Sequence, residues 1–479
     1  MIDKREILET ASSLGLLPSV VEKDYVLGWL LASIYAHPEL TDMWVFKGGT
    51  CLKKCYFETY RFSEDLDFTL RSEDSLDPDF LRRALGEVAT WVADESGLTI
   101  PLEQIGIDIY DNPRGRKSCQ GKIGYRGPVS PSSGAGGWPK IKLDLTADEA
   151  LVLPSVRSEV FHPYTDRPED GIWITAYAYE EAFGEKIRAL GERTRPRDLY
   201  DVINLYRHGD TRPSAGLLLD VLTKKCAYKG IAVPTFDSLL PHKQDLEQMW
   251  RSMLSHQLPV LPPVADFWAA LPEVFLWING KTAAPELALT PIAAGVAETT
   301  IRARVLPRSI PPRMRGPLEI IRFAGANRLC VDLSYDGSVR RIEPYSLRQT
   351  REGNFVLHAI RSDSGESRSY RIDRIQAASV ASQTFIPQYL VELTTDGSLP
   401  YQSSAPRQSS APTWSSRSMA SSRPQRSTST GPVYVYRCTY CSKTFERKSM
   451  DGALNAHKQK GGYPCPGRTG VYVKTKYQS

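Results

Sequence analysis

Nowhere in its 479 residues does the chain run for 18 apolar residues, so no segment reads as a membrane-crossing helix. The best uncharged stretch, residues 25–38, is too short and contains a His and a Pro. Cysteine is scarce at eight residues, which excludes a disulfide scaffold, and three of the eight (Cys438, Cys441 and Cys465) crowd into the last tenth. The first residues, Met1-Ile2-Asp3-Lys4-Arg5-Glu6, are charged and pass into an amphipathic pattern, so no secretory signal is visible. A reduced, cytoplasmic protein is expected.

Acidic residues are nearly missing from residues 401–479, where 13 Lys and Arg face 2 Asp and Glu; residues 1–400 hold 47 against 53. A basic tail on a mildly acidic body points to a polyanionic partner, most often nucleic acid. Hydrophobic residues at 41% and charged residues at 24% exclude wholesale disorder. The length calls for two or three folded units.

Residues 1–280 alternate helical and strand patterns and predict a mixed α/β domain. Residues 281–312, rich in Ala, Pro and Thr, read as a linker. Residues 313–395 carry short alternating runs separated by Asp336-Gly337, Glu352-Gly353-Asn354 and Ser364-Gly365, the mark of a small β-rich unit. Residues 396–432 are a Ser- and Pro-rich stretch with almost no aliphatic side chain, expected to be a disordered tether. A compact module follows at 433–476.

The chemistry concentrates in the first unit. The apolar run Trp44-Val45-Phe46 ends in Lys47-Gly48-Gly49-Thr50, where paired glycines let the backbone turn tightly and approach a phosphate, and Thr50 offers a hydroxyl. Asp65-Leu66-Asp67-Phe68-Thr69-Leu70 alternates strictly, so Asp65, Asp67 and Thr69 share the face opposite the core. Ile141-Lys142-Leu143-Asp144-Leu145-Thr146 does the same and supplies a third carboxylate. Three carboxylates converging from neighbouring strands suit a pair of Mg²⁺ ions that hold a nucleoside triphosphate; a solvated strand face is the plainer alternative. Lys186, Ala189, Leu190 and Arg193 line one stripe of a helix that Pro196 breaks, and a second helix is expected from Arg197-Asp198. Asp198 and Asp201 are there either as an N-cap and first-turn acid or as site residues.

These residues resemble a family. Phe46-Lys47-Gly48-Gly49-Thr50, Arg61-Phe62-Ser63-Glu64-Asp65-Leu66-Asp67, Glu185-Lys186-Ile187-Arg188-Ala189-Leu190 and Arg197-Asp198-Leu199-Tyr200-Asp201 are similar, in this order, to the AbiEii/AbiGii nucleotidyltransferase toxins of the polymerase-β-like superfamily. The resemblance covers roughly residues 15–280. It implies transfer of a nucleoside monophosphate from an NTP to an RNA acceptor, notably the 3′ end of tRNA, with growth arrest or aborted phage infection as the outcome. It further implies catalytic roles for Asp65, Asp67, Asp144, Lys186, Asp198 and Asp201. Nucleotide contacts would come from Lys47, Gly48, Gly49, Thr50, Ser63 and Arg197, and Mg²⁺ would be held by Asp65, Asp67 and Asp144. A separate antitoxin protein is an expected partner.

Within 313–395, the runs around Arg340-Arg341-Ile342-Glu343-Pro344-Tyr345 and Arg368-Ser369-Tyr370-Arg371-Ile372-Asp373-Arg374 resemble a WYL domain, a small sensor of nucleic acid or nucleotides. The naming motif is replaced by Asn354-Phe355-Val356-Leu357. Arg341, Arg368, Arg371 and Arg374 are candidate ligand contacts, or simply solvated strand residues.

In the tail, Cys438-x-x-Cys441 followed by His457 and Cys465 gives the donor set of a tetrahedral structural Zn²⁺ site. The module resembles a Cys-Cys-His-Cys variant of the zinc finger, with His457 expected on a short helix. Arg437, Lys443, Arg447, Lys448, Lys458, Lys460 and Arg468, with the aromatics Tyr440, Phe445 and Tyr463, suit phosphate contact and base stacking. The flexible tether would let this module search around the catalytic unit. A protein-binding finger is the alternative. For the whole chain, a nucleotidyltransferase toxin is weighed against a nucleic-acid-binding regulator on the same scaffold and a housekeeping RNA-adding enzyme.

Overall fold

The computed structural model describes residues 1–57, 61–130, 137–208, 212–281, 287–290, 298–300, 312–393, 433–438, 441–447, 454–459, 463–465, 467 and 469–476. The expected tether at 396–432 lies outside these residues, as do Tyr440, Lys448, Lys460 and Arg468 and most of 281–312.

Seven strands form the first sheet: β1 (Trp44–Lys47), β2 (Asp65–Leu70), β3 (Ile105–Asp111), β4 (Lys117–Gly124), β5 (Lys140–Thr146), β6 (Val156–Glu159) and β7 (Trp173–Ala176). Their order is β3-β4-β5-β2-β1-β7-β6, with β2–β5 and β1–β7 parallel and the remaining pairs antiparallel. Leu66 and Phe68 on β2 and Ile141, Leu143 and Leu145 on β5 are buried, as their alternation predicts.

The helices preceding and following these strands are α1 (Lys4–Leu14), α2 (Pro18–Ala36), the short α3 (Gly48–Cys51), α4 (Pro78–Ser96), α5 (Tyr179–Arg193), α6 (Pro196–Arg207), α7 (Ala215–Lys229), α8 (Phe236–Leu239), α9 (Lys243–Leu254) and α10 (Val264–Ile278). The long uncharged stretch of the sequence is most of α2. Residues 24–34 are all buried, because the helix is apolar on every side and packs against both β7 and α4. It stops at His37, immediately before Pro38. Among the described residues, no helix is long and apolar enough to cross a membrane.

The β-rich unit begins with a helix, α11 (Pro312–Ala326), which the sequence reading placed among strands. The strands are β8 (Glu298–Thr300), β9 (Leu329–Tyr335), β10 (Ser338–Thr350), β11 (Phe355–Arg361), β12 (Ser367–Arg371) and β13 (Ile375–Thr384). They form a sheet ordered β12-β11-β10-β9-β13, with β8 on β10. All three turn signals fall between consecutive strands, at positive-φ positions Asp336, Gly337, Gly353 and Gly365. The described part of the supposed linker is not free. β8 pairs with β10, the Leu390 amide donates to Ala288 O at 2.9 Å, and the buried Arg348 donates to Thr290 O at 3.0 Å.

The tail folds as β14 (Val433–Cys438), β15 (Thr444–Arg447) and β16 (Gly470–Lys476) in the order β15-β14-β16. Here too the reading needs correction: described residues 454–459 are not helical, so His457 sits in an irregular segment rather than on a helix. One continuous apolar core runs from the first sheet and its helices into the β-rich unit, and it includes Tyr463 of the tail.

Close packing makes one glycine on α2 irreplaceable. A Cβ on Gly28 would stand 2.0 Å from Nδ1 of the fully buried His162. Gly28→Ala should therefore destabilise the fold by about 1–3 kcal/mol in chemical denaturation, as overpacked core sites do.

Candidate active site

The site is organised by strand register. On the parallel pair β2–β5, Asp67 lies opposite Asp144 and Asp65 opposite Lys142, while on the antiparallel side Lys47 of β1 lies opposite Asp67. Asp65, Asp144 and Lys142 line a cavity of about 500 Å³ together with Gln120, Lys122, Arg195, Arg197 and Met253. Burial pushes the Asp67 carboxyl up to about 6, with Asp144 and Asp65 adding to the rise against Lys47 and Lys186. Asp144 is raised as well, by burial and by the charge of Asp65. Burial and neighbouring like charge both disfavour ionised carboxylates here, a cost that a bound divalent cation relieves.

The Gly-Gly segment serves this cluster. Gly48 has φ +80°, and a Cβ there would lie 2.0 Å from Asp67 Oδ2; a Cβ on Gly49 would lie 2.5 Å from Arg61 Nη2 and 3.2 Å from Ser63 Oγ. Both positions are thus pressed against site residues, and Gly48 also needs a backbone that L side chains rarely adopt. The buried Thr50 hydroxyl donates to Asp65 O, so in this state it fastens α3 to β2. Lys47 Nζ is 3.4 Å from Glu149.

Behind the carboxylates lies a buried ionic network. Lys186 Nζ on α5 is 2.7 Å from Asp201 and 3.5 Å from Asp198 on α6. Arg61 grips Asp201 through Nε and Nη2, both at 2.8 Å, and Arg193 grips Asp198 at 2.8 and 2.9 Å. Burial alone would favour protonated Asp201, but Arg61 and then Lys186 outweigh it and hold the carboxyl well below the usual range. Helix α6 starts at Pro196 with Arg195 as its N-cap, so Asp198 is no N-cap: it is a first-turn acid, wholly buried and bonded to Arg193. Arg197 donates to Met253 O at 3.4 Å, and burial together with Arg61 lowers its pKa.

Arg61, Arg193 and Glu149 were not selected from sequence as site residues. Arg61 and Arg193 did stand within segments already singled out, and their partners Asp201 and Asp198 are what give them weight. Gln120 and Lys122, which alternate on the exposed side of β4, had only that alternation to mark them.

The four arginines of the β-rich unit do not converge. Arg341 pairs with Asp332 at 2.8 Å, Arg368 with Glu366 at 2.6 Å, Arg371 with Asp373 at 2.8 Å and Arg374 with Asp336 at 3.6 Å. In the tail, by contrast, the ligand atoms of Cys438, Cys441, His457 and Cys465 all lie within 4.8 Å of one another. Cys438 Sγ is 3.8 Å from Cys465 Sγ, and Cys441 Sγ is 3.4 Å from His457 Nε2. Ligands on a tetrahedral Zn²⁺ with bonds of about 2.0–2.3 Å stand at such separations. The other imidazole nitrogen, Nδ1, is 2.9 Å from Asn455 O, the kind of contact that orients a ligating ring.

Fold and site together describe a mixed α+β enzyme whose strand-borne carboxylates face a basic cavity. The family model described as "Nucleotidyl transferase AbiEii toxin, Type IV TA system" matches residues 29–273. The chain belongs to this family and is a nucleotidyltransferase of the toxin class. Among solved structures it is similar to MenT4, a nucleotidyltransferase toxin from Mycobacterium tuberculosis H37Rv, at 18% identity and a TM-score of 0.37, over 59% of this chain and 91% of that one. It is also similar to proteasome accessory factor B/C of Arthrobacter aurescens, at 14% identity and a TM-score of 0.14, over 62% of this chain and 41% of that one. No curated protein matches.

Two outcomes test the electrostatics. With its carboxyl raised from 3.8 to about 6, metal-free Asp67 binds its proton more tightly folded than unfolded. Its destabilising effect is absent below pH 4, grows between pH 4 and 6, and stays constant above. Asp67→Asn should raise metal-free stability at pH 7.5 by about 2 kcal/mol and flatten that part of the pH–stability curve, with Mg²⁺ then stabilising wild type more than the variant. Asp201→Asn acts oppositely, because it leaves Arg61 and Lys186 buried without their shared counter-charge. A loss of about 3–5 kcal/mol is expected in urea denaturation at neutral pH.

Proposed function

We propose that the enzyme is Mg²⁺-dependent and transfers a nucleoside monophosphate from an NTP to an RNA acceptor, tRNA in the first instance, as the effector of a toxin–antitoxin system active in phage defence. The observation that carries this reading is the β2–β5 register, which sets Asp67 opposite Asp144, with Asp65 and Asp144 lining a cavity whose other wall is basic. The raised carboxyls of Asp67 and Asp144 fit residues that hold divalent cations, and Asp65, Asp67 and Asp144 would be the ligands. Bound Mg²⁺ would supply charge neutralisation at the triphosphate and acidify the attacking hydroxyl.

The chain's own residues supply the rest. Gly48 and Gly49 keep the backbone bare beside Asp67, and Lys47 with Lys186 offers cations to the β- and γ-phosphates. Arg61 and Asp201 fix the Lys186 ammonium, so its direction is set before substrate arrives. Ser63, buried beside Gly49, completes the phosphate side. Arg195, Arg197, Lys122 and Lys142 on the cavity wall suit the phosphates of an incoming polynucleotide. Attack of the acceptor hydroxyl on the α-phosphorus forms the new ester, breaks the α–β phosphoanhydride bond and releases pyrophosphate. The hydroxyl proton passes to a carboxylate of the site and from there to solvent. The type IV toxin–antitoxin family supports a separate antitoxin as partner. We further read residues 313–395 as a WYL-like accessory domain and residues 433–476 as a Zn²⁺-stabilised module with a basic surface.

Label transfer is the test. Purified protein with Mg²⁺, total tRNA or total RNA and each α-³²P-labelled NTP in turn should label RNA with at least one nucleotide. Asp65→Ala/Asp67→Ala should lower incorporation by at least about 10³-fold, as loss of metal ligands and transition-state charge stabilisation predicts. Incorporation that survives the double substitution would refute the assigned site.

A further inference from the structure

The sequence led us to expect a zinc module swinging freely on its tether, yet one of its residues is among the most deeply buried in the protein. Tyr463 is 1% exposed and belongs to the main core rather than to the module's own small cluster of Tyr436, Cys438, Leu454 and Cys465. Its hydroxyl donates to Ser33 O at 2.7 Å and lies 3.1 Å from Ser33 Oγ, which itself donates to Val88 O. Its ring meets the buried His37 edge-on at 4.5 Å. Beside it, Lys458 Nζ is 3.1 Å from Asp94 Oδ2 and 3.9 Å from Glu95 Oε1. The C-terminal end of α2 and the adjoining stretch of α4 therefore form a socket, with Tyr463 as its plug. This correction also removes Tyr463 from the aromatics free to stack on bases.

What presents the plug is the metal site. Tyr463 belongs to the described segment 463–465, which runs antiparallel to 457–459, and the outer ends of the pair, His457 and Cys465, are both ligand candidates. Two backbone hydrogen bonds hold them together, from the Cys465 amide to His457 O and from the Gln459 amide to Tyr463 O, both at 2.8 Å, which makes Lys458 and Pro464 an antiparallel bridge pair. A two-segment pairing this short, whose one buried aromatic is given to another unit, has little core of its own to keep its shape. Ligation at both ends would close it, and without metal it loses its restraint.

We propose that the α2–α4 socket and Tyr463 form a metal-dependent latch, in which Zn²⁺ on Cys438, Cys441, His457 and Cys465 holds the tail module against the catalytic unit and loss of Zn²⁺ sets it free. This rests on reading those four residues as a zinc site. Because the plug and the socket are on one chain, a small contact is enough to hold the module.

The test uses the full-length protein, zinc analysis and hydrogen exchange over residues 30–37 and 88–95. Zinc-loaded wild type should carry one Zn²⁺ per chain and protect both segments. Stripping zinc with a chelator should speed exchange there by roughly tenfold, the factor carried by a buried hydrogen bond with its ring contact. Tyr463→Ala should do the same while still holding its zinc. Asp94→Arg, on the exposed rim of the socket and outside the module, should weaken protection without changing zinc content. Full protection in zinc-stripped wild type would overturn the metal dependence, and full protection in both zinc-loaded variants would overturn the plug. A chain that takes up no added Zn²⁺ would refute the ligand assignment, and the latch with it.

Discussion

The parallel register of β2 and β5 is the constraint on which the candidate active site depends. It sets Asp67 directly opposite Asp144, and the antiparallel register with β1 brings Lys47 to the same level. A one-residue slip would turn Asp65, Asp67 and Thr69 into the core and Leu66, Phe68 and Leu70 out of it, so the apolar alternation that folds the sheet also fixes the carboxylates. Folding thus does electrostatic work against itself, since buried like charges raise Asp67 and Asp144. A protein that needed only a stable sheet would have no reason to keep them there.

The cationic side of the site is stored differently. Lys186, buried on α5, is held by Asp198 and Asp201 of α6, and each of those acids is shared with an arginine from elsewhere: Arg193 from the end of α5, Arg61 from the loop before β2. The arrangement ties three segments into one rigid unit. Buried ion pairs add little net stability compared with apolar packing, but breaking one is costly, so they give up stability for a fixed geometry. That suits the role proposed for Lys186, a cation whose direction is set in advance. Arg61 also explains Gly49, over whose bare α-carbon the guanidinium passes.

Much of this was legible in the sequence, for identifiable reasons. Period-two alternation marked β2 and β5 and put Asp65, Asp67 and Asp144 on the polar face. Turn chemistry at Asp336-Gly337, Gly353 and Ser364-Gly365 marked the hairpins of the β-rich unit, and Cys-x-x-Cys spacing marked the cluster of three cysteines and a histidine. The failures share a cause: each depended on a partner distant in the chain. Nothing local told that Asp201 would be bonded to Arg61, 140 positions away, or that Tyr463 would pack against Ser33, 430 positions away. Composition also misled at α11, where two Pro and two Gly among 15 residues hid a helix whose apolar positions nonetheless reach β9 and β13.

The accessory units are fastened to functional elements of the catalytic unit. Tyr200 stands between Asp198 and Asp201 on α6, and its buried hydroxyl donates to Asn327 at 2.8 Å, at the corner where α11 passes into β9. The ring stacks on Phe267 of α10 at 5.3 Å, so Tyr200 has little freedom to move independently of either neighbour. At the next residue, Asp201 holds Lys186. A displacement of the α11–β9 corner would therefore have to be absorbed by breaking a buried hydrogen bond or by moving α6, and closely packed interiors absorb strain poorly. The other anchor, Tyr463, meets α2 near its C-terminal end, while the N-terminal part of the same helix bonds Lys23 to Glu64, the residue before Asp65. The first attachment thus ends on the helix that carries Asp198 and Asp201, and the second on a helix bonded to the residue before Asp65. Such a chain is organised as one coupled body rather than as an enzyme with passengers.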